Sequence, residues 1–203
     1  MEDTPIIDIV GLSKKFGKTH AVDGVSLQIE RGEIICIIGP NSAGKTTLLL
    51  LMGGVHYPSK GHVTVMGLHR WKDNFEIRKR STFLTADPLF GACPTPYEFL
   101  RFYAQIYGMP KQEFLDKVKP MCDAMELTEH LDKGWGELSL GMMKKVGLIA
   151  VFLPEVELRF LDEPFAGGID PRGMETLYRW MQEGKARGET IVFSTQVLEQ
   201  AET

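Results

Sequence analysis

Gly39-Pro40-Asn41-Ser42-Ala43-Gly44-Lys45-Thr46-Thr47 has the spacing G-x-x-x-x-G-K-[ST], and each fixed position answers a need of phosphate chemistry. Successive backbone N–H groups of such a loop wrap an anion, the lysine reaches the β- and γ-phosphates, and the hydroxyl holds Mg²⁺. Gly39 and Gly44 permit a close backbone approach that a side chain would block. The apolar run Ile34-Ile35-Cys36-Ile37-Ile38 precedes the loop and Leu48 to Leu51 follow it. The stretch therefore reads as strand, loop and helix, with the positive end of the helix toward the anion. A nucleoside triphosphate is the expected ligand.

Hydrolysis of such a ligand also needs a carboxylate for the metal and a group that orients water. The apolar run Leu158 to Leu161 ends in Asp162-Glu163-Pro164. A parallel sheet binds ligands at the carboxyl ends of its strands, which would set this pair beside the glycine loop. Neighbours at a strand end point in different directions, so Asp162 can face the metal while Glu163 polarises a water.

The elements that must position these groups follow from the pattern. Ile6 to Gly17 and Ala21 to Glu30 read as antiparallel strands joined to the core through Arg31-Gly32-Glu33, and His62 to Met66 as another short strand ending at Gly67. Ser81 to Thr85 suggests a strand that Asp87-Pro88 breaks. Glu98 to Tyr107 and Lys111 to Met125 carry apolar residues at helical spacing, among them Phe99, Phe102, Ile106, Phe114, Val118 and Met121, which are expected in the core. Ser139 is placed to cap a helix running to Leu153. Another helix follows from about Pro171 to Gly184, and Thr190 to Ser194 is a last strand. Strands alternating with helices imply an α/β chain with a mostly parallel sheet.

Composition narrows the class. A chain of 203 residues with 43% hydrophobic content can bury a full core, and a net charge of −4 argues against a nucleic-acid surface. Arg78-Lys79-Arg80 and Lys144-Lys145 are expected to be solvated helix faces. Cys36, Cys93 and Cys122 are odd in number and widely spaced, so neither disulfides nor zinc are expected, and a reducing cytosol suits them. The most apolar stretch, Val146 to Leu153, falls far short of the roughly 20 residues that span a bilayer, and the N-terminus lacks a signal-peptide pattern. Membrane association is expected only through a partner.

Taken in order, Gly39 to Thr46, Leu138-Ser139-Leu140-Gly141-Met142, Leu161-Asp162-Glu163-Pro164 and Asp170 resemble the ATP-binding subunit of ABC transporters over nearly the whole chain. The Leu-Ser-x-Gly signature between the two nucleotide motifs separates that family from other P-loop proteins. Tyr97-Glu98-Phe99-Leu100-Arg101-Phe102-Tyr103-Ala104 with Ile106-Tyr107-Gly108 looks most like the export-type, ABC-2-like branch.

The resemblance implies a P-loop NTPase core with a mostly parallel sheet, an N-terminal antiparallel β subdomain and an inserted helical subdomain. It divides the chain into a nucleotide-binding core of residues 1–87 and 156–203 and a helical subdomain of residues 88–155. ATP and Mg²⁺ are the implied ligands. Phe16 would stack on the adenine, Gly39 to Thr47 would hold the phosphates, Thr46 and Asp162 the metal, and Glu163 would be the catalytic base. Ser139 and Gly141 would cap the γ-phosphate of a second, similar subunit, giving a head-to-tail dimer with two ATP molecules at its interface. Such a role accounts for a Ser-x-Gly at a helix N-terminus, an anion site without an anion in its own chain. Closure and opening would drive a separate membrane permease docked near residues 86 to 105, with the chain peripheral on the cytoplasmic face.

The pattern also departs from the family. Ala86 stands where a glutamine is usual, and Asp87 would replace it only if the loop slips by one residue. Gln196 occupies the position of the switch histidine; an amide donates a hydrogen bond but carries no positive charge. Slow turnover is the expectation. The loop from Asp162 to Asp170, with Gly167-Gly168, is a residue longer than usual. Arg159 falls in a core strand, where a charge is costly unless paired, and is expected at the strand's solvent end. The chain stops at Thr203, earlier than is usual in the family, which reads either as a C-terminal truncation or as an unusually short subunit. The leading reading is a transport-coupled ATPase. The alternative is an ATP-binding regulatory or structural subunit with little hydrolysis, which Ala86 and Gln196 favour and Glu163 opposes. A ribosome- or DNA-bound ABC protein suits an acidic chain with neither a second cassette nor a long coiled coil poorly.

Overall fold

Alternation of buried and exposed residues builds the first two strands, β1 (Ile7–Phe16) and β2 (Thr19–Ile29). They pair antiparallel, with Ile7 opposite Ile29. The computed structural model describes residues 4–86 and 93–197. After β2 come β3 (Ile34–Ile38), α1 (Lys45–Met52), β4 (Lys60–Val65), β5 (Leu68–His69), α2 (Asn74–Lys79) and β6 (Ser81–Leu84). Three helices follow, α3 (Pro96–Ile106), α4 (Lys111–Ala124) and α5 (Leu140–Phe152), then β7 (Leu158–Leu161), α6 (Pro171–Ala186) and β8 (Thr190–Thr195).

The strands form two sheets, ordered β2-β1-β4-β5 and β3-β8-β7-β6. In the second, β3 and β7 each run parallel to β8, with Ile34 opposite Ile191 and Leu158 opposite Thr190. β4 joins the antiparallel sheet by pairing with β1, Val65 opposite Ile7, and turns into β5 through a two-residue turn with Met66 at φ 54° and Gly67 at φ 73°. Positive φ at both central residues is the hairpin turn whose twist matches its strands. Gly67 thus turns the chain into β5, a strand that the sequence pattern, ending at Gly67, did not anticipate.

The chain divides into two compact units. The first holds the chain up to Phe83, Val156–Glu163 and the stretch from Glu183 on; the second holds Leu84–Glu155 and Pro164–Gln182. In the first, Ile7, Ile9, Leu12, Val63 and Val65 share a core with Leu49, Leu51 and Met52 of α1 and with Phe160 and Val192 of the parallel sheet. The buried Arg70 holds the end of α1 away from the glycine loop. It donates to the Met52 carbonyl at 2.7 Å, to the Gly53 carbonyl and to Asn74 Oδ1 at 2.8 Å. Those carbonyls have no partner within the helix, and a cation there also suits the helix dipole. Burial, and next the charge of Arg78, pull the Arg70 guanidinium down to about 10, so it stays charged at neutral pH.

Arg159 corrects an expectation. It lies near the start of β7, an inner strand of the parallel sheet, and is fully buried, with its Nε 2.8 Å from Glu189 Oε2. Glu189 directly precedes β8, and the parallel register of β7 with β8 places this carboxylate beside the guanidinium. Pairing, rather than a solvent-facing strand end, makes the charge tolerable.

In the second unit α3 opens with Thr95 as cap, its hydroxyl accepting from the Glu98 N–H at 3.3 Å, and with Pro96 in the first turn. Leu100 and Ala104 carry its buried face, whereas Phe102 and Ile106 are exposed. The helical spacing was right and the core face was not. Phe114, Val118 and Cys122 bury α4, and Tyr97 meets Phe114 edge-on at 5.7 Å. Almost every residue of α5 from Lys144 on is buried, Lys144 and Lys145 included, so these lysines do not form a solvated face. A helix apolar on all sides is a core helix, and its lysines are buried with it.

Candidate nucleotide-binding site

The loop between β3 and α1 is bent by two left-handed residues, Ser42 at φ 68° and Gly44 at φ 89°. Left-handed and right-handed residues in alternation turn their N–H groups inward, which makes an anion nest. Gly44 has a second reason to be glycine: a Cβ there would lie 2.1 Å from the Ala21 carbonyl oxygen of β2. Gly44→Ala is therefore expected to cost about 3 kcal/mol or more, combining a left-handed Cβ with a backbone clash. Gly39→Ala, whose Cβ would crowd the Ala43 methyl at 3.2 Å and otherwise make ordinary contact with the Lys45 stem, should cost clearly less. Urea unfolding of the two variants checks the order.

Lys45, the first residue of α1, is buried. Its ammonium is held by the Gly39 carbonyl at 2.8 Å, the Pro40 carbonyl at 3.2 Å and Glu163 Oε1 at 3.2 Å. Next to it, Thr46 Oγ1 donates to Asp162 Oδ1 at 3.1 Å. The same Asp162 oxygen accepts from Ser194 Oγ at 2.6 Å, and Ser194 Oγ accepts from the Glu163 N–H at 2.9 Å. One buried hydroxyl thus ties the end of β8 to both acidic residues at the end of β7. Glu163 sits at φ 46°, a backbone conformation that persists only where its surroundings hold it. Ser194 is the functional residue that motif reading missed; its sole signal is a hydroxyl at the carboxyl end of a strand. Burial, with the Glu163 carboxylate, pushes the Cys36 thiol up to about 11, so it stays neutral, and all three cysteines are free.

The donor set suits magnesium. Mg²⁺ takes hard oxygen ligands, binds through one or two protein groups, and completes its shell with phosphates and water. Thr46 and Asp162 present a hydroxyl and a carboxylate within hydrogen-bond reach of each other. Among the described residues no cluster of three or more His, Cys, Asp or Glu side chains forms a self-sufficient metal cage.

The remaining residues of interest are more dispersed. Phe16 ends β1 and is 47% exposed, its ring edge-on to His56 at 5.7 Å and with Lys14 Nζ over it, 5.0 Å from its centre. Gln196 follows β8 and is exposed. Thr47 is half-buried in α1, and Pro40, Asn41, Ser42 and Ala43 line the loop, mostly exposed. Ser139 caps α5, its hydroxyl accepting from the Met142 N–H at 3.2 Å. A Cβ on Gly141 would come 2.4 Å from the Gly168 carbonyl oxygen, so the close passage of the 167–168 loop demands glycine there. Ser139 and Gly141 belong to the second unit, and the phosphate loop with Asp162, Glu163 and Gln196 to the first. Ala86 is exposed; Asp87, Pro88 and the 87–92 part of the expected docking stretch lie outside the described residues.

The family model for ABC transporters matches residues 22–166, which takes in the glycine loop, the Ser139 cap and the Asp162-Glu163 pair. The chain belongs to the ABC transporter family. This ABC chain is 30% identical, over its full length, to the probable multidrug ABC transporter ATP-binding protein YbhF of Escherichia coli K12, of which it covers 35%. It is 32% identical to the bacitracin transport ATP-binding protein BcrA of Bacillus licheniformis, covering 97% of this chain and 63% of that one. The chain thus spans between about a third and two thirds of the length of these curated relatives. A solved ATP-binding subunit of an ABC transporter superposes with a TM-score of 0.89 at 29% identity, covering 97% of this ABC chain and 82% of that subunit.

Proposed function

We propose that the chain binds Mg²⁺-ATP, hydrolyses it, and thereby powers transport by a separate membrane permease of the export type. The observation that carries this reading is the convergence of Lys45 on Glu163 and of Thr46 on Asp162 where the chain leaves the carboxyl ends of β3 and β7, the two strands that flank β8. The glycine-loop N–H groups and Lys45 hold the phosphates, and Thr46 with Asp162 holds the metal. Magnesium, when bound, neutralises charge on the β- and γ-phosphates. Glu163 accepts the proton of the attacking water, and Ser194 fixes the backbone that aims it. Phosphate drawing Lys45 away frees the Glu163 carboxylate for that task. Ser139 and Gly141, at the start of α5, serve the γ-phosphate of a second subunit.

The bacitracin and multidrug relatives support the transport assignment by their names. Among the described residues no helix is long and apolar enough to cross a membrane. The reading gives the path to the permease, docked on the α3 side where Phe102 and Ile106 are exposed, with this chain on the cytoplasmic face. An ATP-binding regulatory subunit is the second reading, favoured by Ala86, which offers no polar side chain, and by the uncharged Gln196.

The Mg²⁺-dependent ATPase rate of the purified chain, measured against protein concentration, tests the proposal. A rate rising faster than linearly supports a dimeric ATPase, and tight ATP binding by a folded chain with no turnover supports the regulatory reading. In calorimetry Lys45→Ala should lose ATP affinity by about 100-fold or more, since the phosphates lose their buried cation. Tight Mg²⁺-ATP binding by this variant would overturn the site.

A further inference from the structure

Lys144 and Lys145 stand in the first two turns of α5, the wrong end of a helix for cations, since the backbone dipole there is positive. They are also buried, at 4% and 5% exposure, and no acidic residue lies in the first turn to compensate. Burying an ammonium is expensive unless its protons are taken up. Each side chain instead reaches a different loop. Lys144 Nζ donates to the Ala86 carbonyl at 3.3 Å, in the loop that leaves β6. Lys145 Nζ pairs with the carboxylate of Asp170, in the loop that leaves β7 and begins with Asp162-Glu163. Asp170 also accepts from the Gly173 N–H at 2.8 Å, which fixes it at the start of α6. β6 and β7 are neighbours in the parallel sheet, so adjacent lysines on one helix hold the loops that leave adjacent strands.

We propose that Lys144 and Lys145 are positioning residues for ATP turnover: they couple the helix that starts at Ser139 and Gly141 to the strand-end loops at Ala86 and Asp170. The inference rests on the ATPase reading above. The Ala86 end of the link is made to a backbone carbonyl, so it needs no particular side chain at position 86. That explains how a chain with alanine there keeps the loop attached to α5. The Asp170 end is an ion pair, and the Lys145 ammonium beside Asp170 holds its carboxyl below the usual carboxylate range, consistent with a charged link at neutral pH.

The test compares Lys144→Met, Lys144→Arg and Lys145→Met with the unaltered chain, using Mg²⁺-ATP as the probe. Methionine keeps the buried stem and removes the donor; arginine restores a donor. Lys144→Met is expected to lower kcat by about tenfold or more, because small misplacements of reacting groups are costly, with KM for ATP changed less than about twofold. Lys144→Arg should recover most of the loss. A folded Lys144→Met with unchanged kcat, or a loss that arginine does not restore, overturns the inference.

Hydrogen exchange separates this failure from failure of the ATPase reading. If the unaltered chain binds ATP without turnover, hydrolysis is the reading that fails, and the coupling is then read from amide exchange. Addition of Mg²⁺-ATP should slow exchange in the 139–145 peptide of the unaltered chain and of Lys144→Arg, but much less in Lys144→Met and Lys145→Met. Equal slowing in all four proteins, or none in the unaltered chain, overturns the coupling.

Discussion

Glu189→Ala is expected to destabilise the chain by about 3–5 kcal/mol, because it strips a fully buried guanidinium of its ion-pair partner. Arg159 has no exposed surface, and its Nε lies 2.8 Å from Glu189 Oε2. The exposed Arg187, 3.0 Å from the other carboxylate oxygen, can return to water when Glu189 is removed; Arg159 cannot. Gly184 adds a packing reason for the arrangement, since a Cβ there would lie 2.6 Å from Glu189 Oε2. The loss should appear in urea unfolding as a lower midpoint with an unchanged slope, and as a melting temperature lower by about 6–20 °C for a chain of this size. The double variant Arg159→Met, Glu189→Leu should recover most of the loss, because desolvating an ion pair offsets much of its attraction. A double variant as unstable as Glu189→Ala would show that the pair contributes through more than charge compensation.

Arg159 also marks the boundary of what could be read from the sequence. The phosphate loop was legible because its chemistry is local: Gly44, Lys45 and Thr46 must be adjacent for one loop to hold one phosphate, and the spacing survives any tertiary context. Asp162 and Glu163 were legible because a strand end is an address in a parallel sheet. Arg159 was not, because the carboxylate that makes its burial tolerable lies thirty residues on and becomes a neighbour only through the register of β7 with β8. Lys144 and Lys145 failed for the same reason, their acceptors being in two distant loops. A charge pair such as Lys-Lys is a solvated face by default, and only non-local partners reverse that.

The two faces of α3 show a different limit. Phe99, Phe102 and Ile106 do recur at helical spacing, and the helix is there, yet Leu100 and Ala104 are what it buries. Period identifies a helix; it does not say which of two apolar stripes meets the core. Ser194 illustrates the limit at the site itself. A serine at the end of a strand carries no signature, yet here it accepts from the Glu163 N–H and donates to Asp162.

That arrangement makes Glu163→Gln the variant with the largest expected effect on activity. Turnover should fall by about 10²–10⁴-fold, the usual contribution of a positioned general base, because an amide cannot accept the proton of the attacking water. ATP affinity should hold within about fivefold, since the nest, Lys45, Thr46 and Asp162 are untouched. The backbone at 163 is held through its N–H by Ser194 Oγ, independently of the side chain, so the substituted residue keeps its place. The amide oxygen can still accept from Lys45, but the contact is no longer an ion pair, which leaves the ammonium freer for the phosphates. Single-turnover kinetics with calorimetry of the same sample separates the two quantities. Turnover within about fivefold of the unaltered chain would remove Glu163 from the role of base. A parallel collapse of ATP affinity would instead make the Lys45–Glu163 pair a structural requirement of the binding loop.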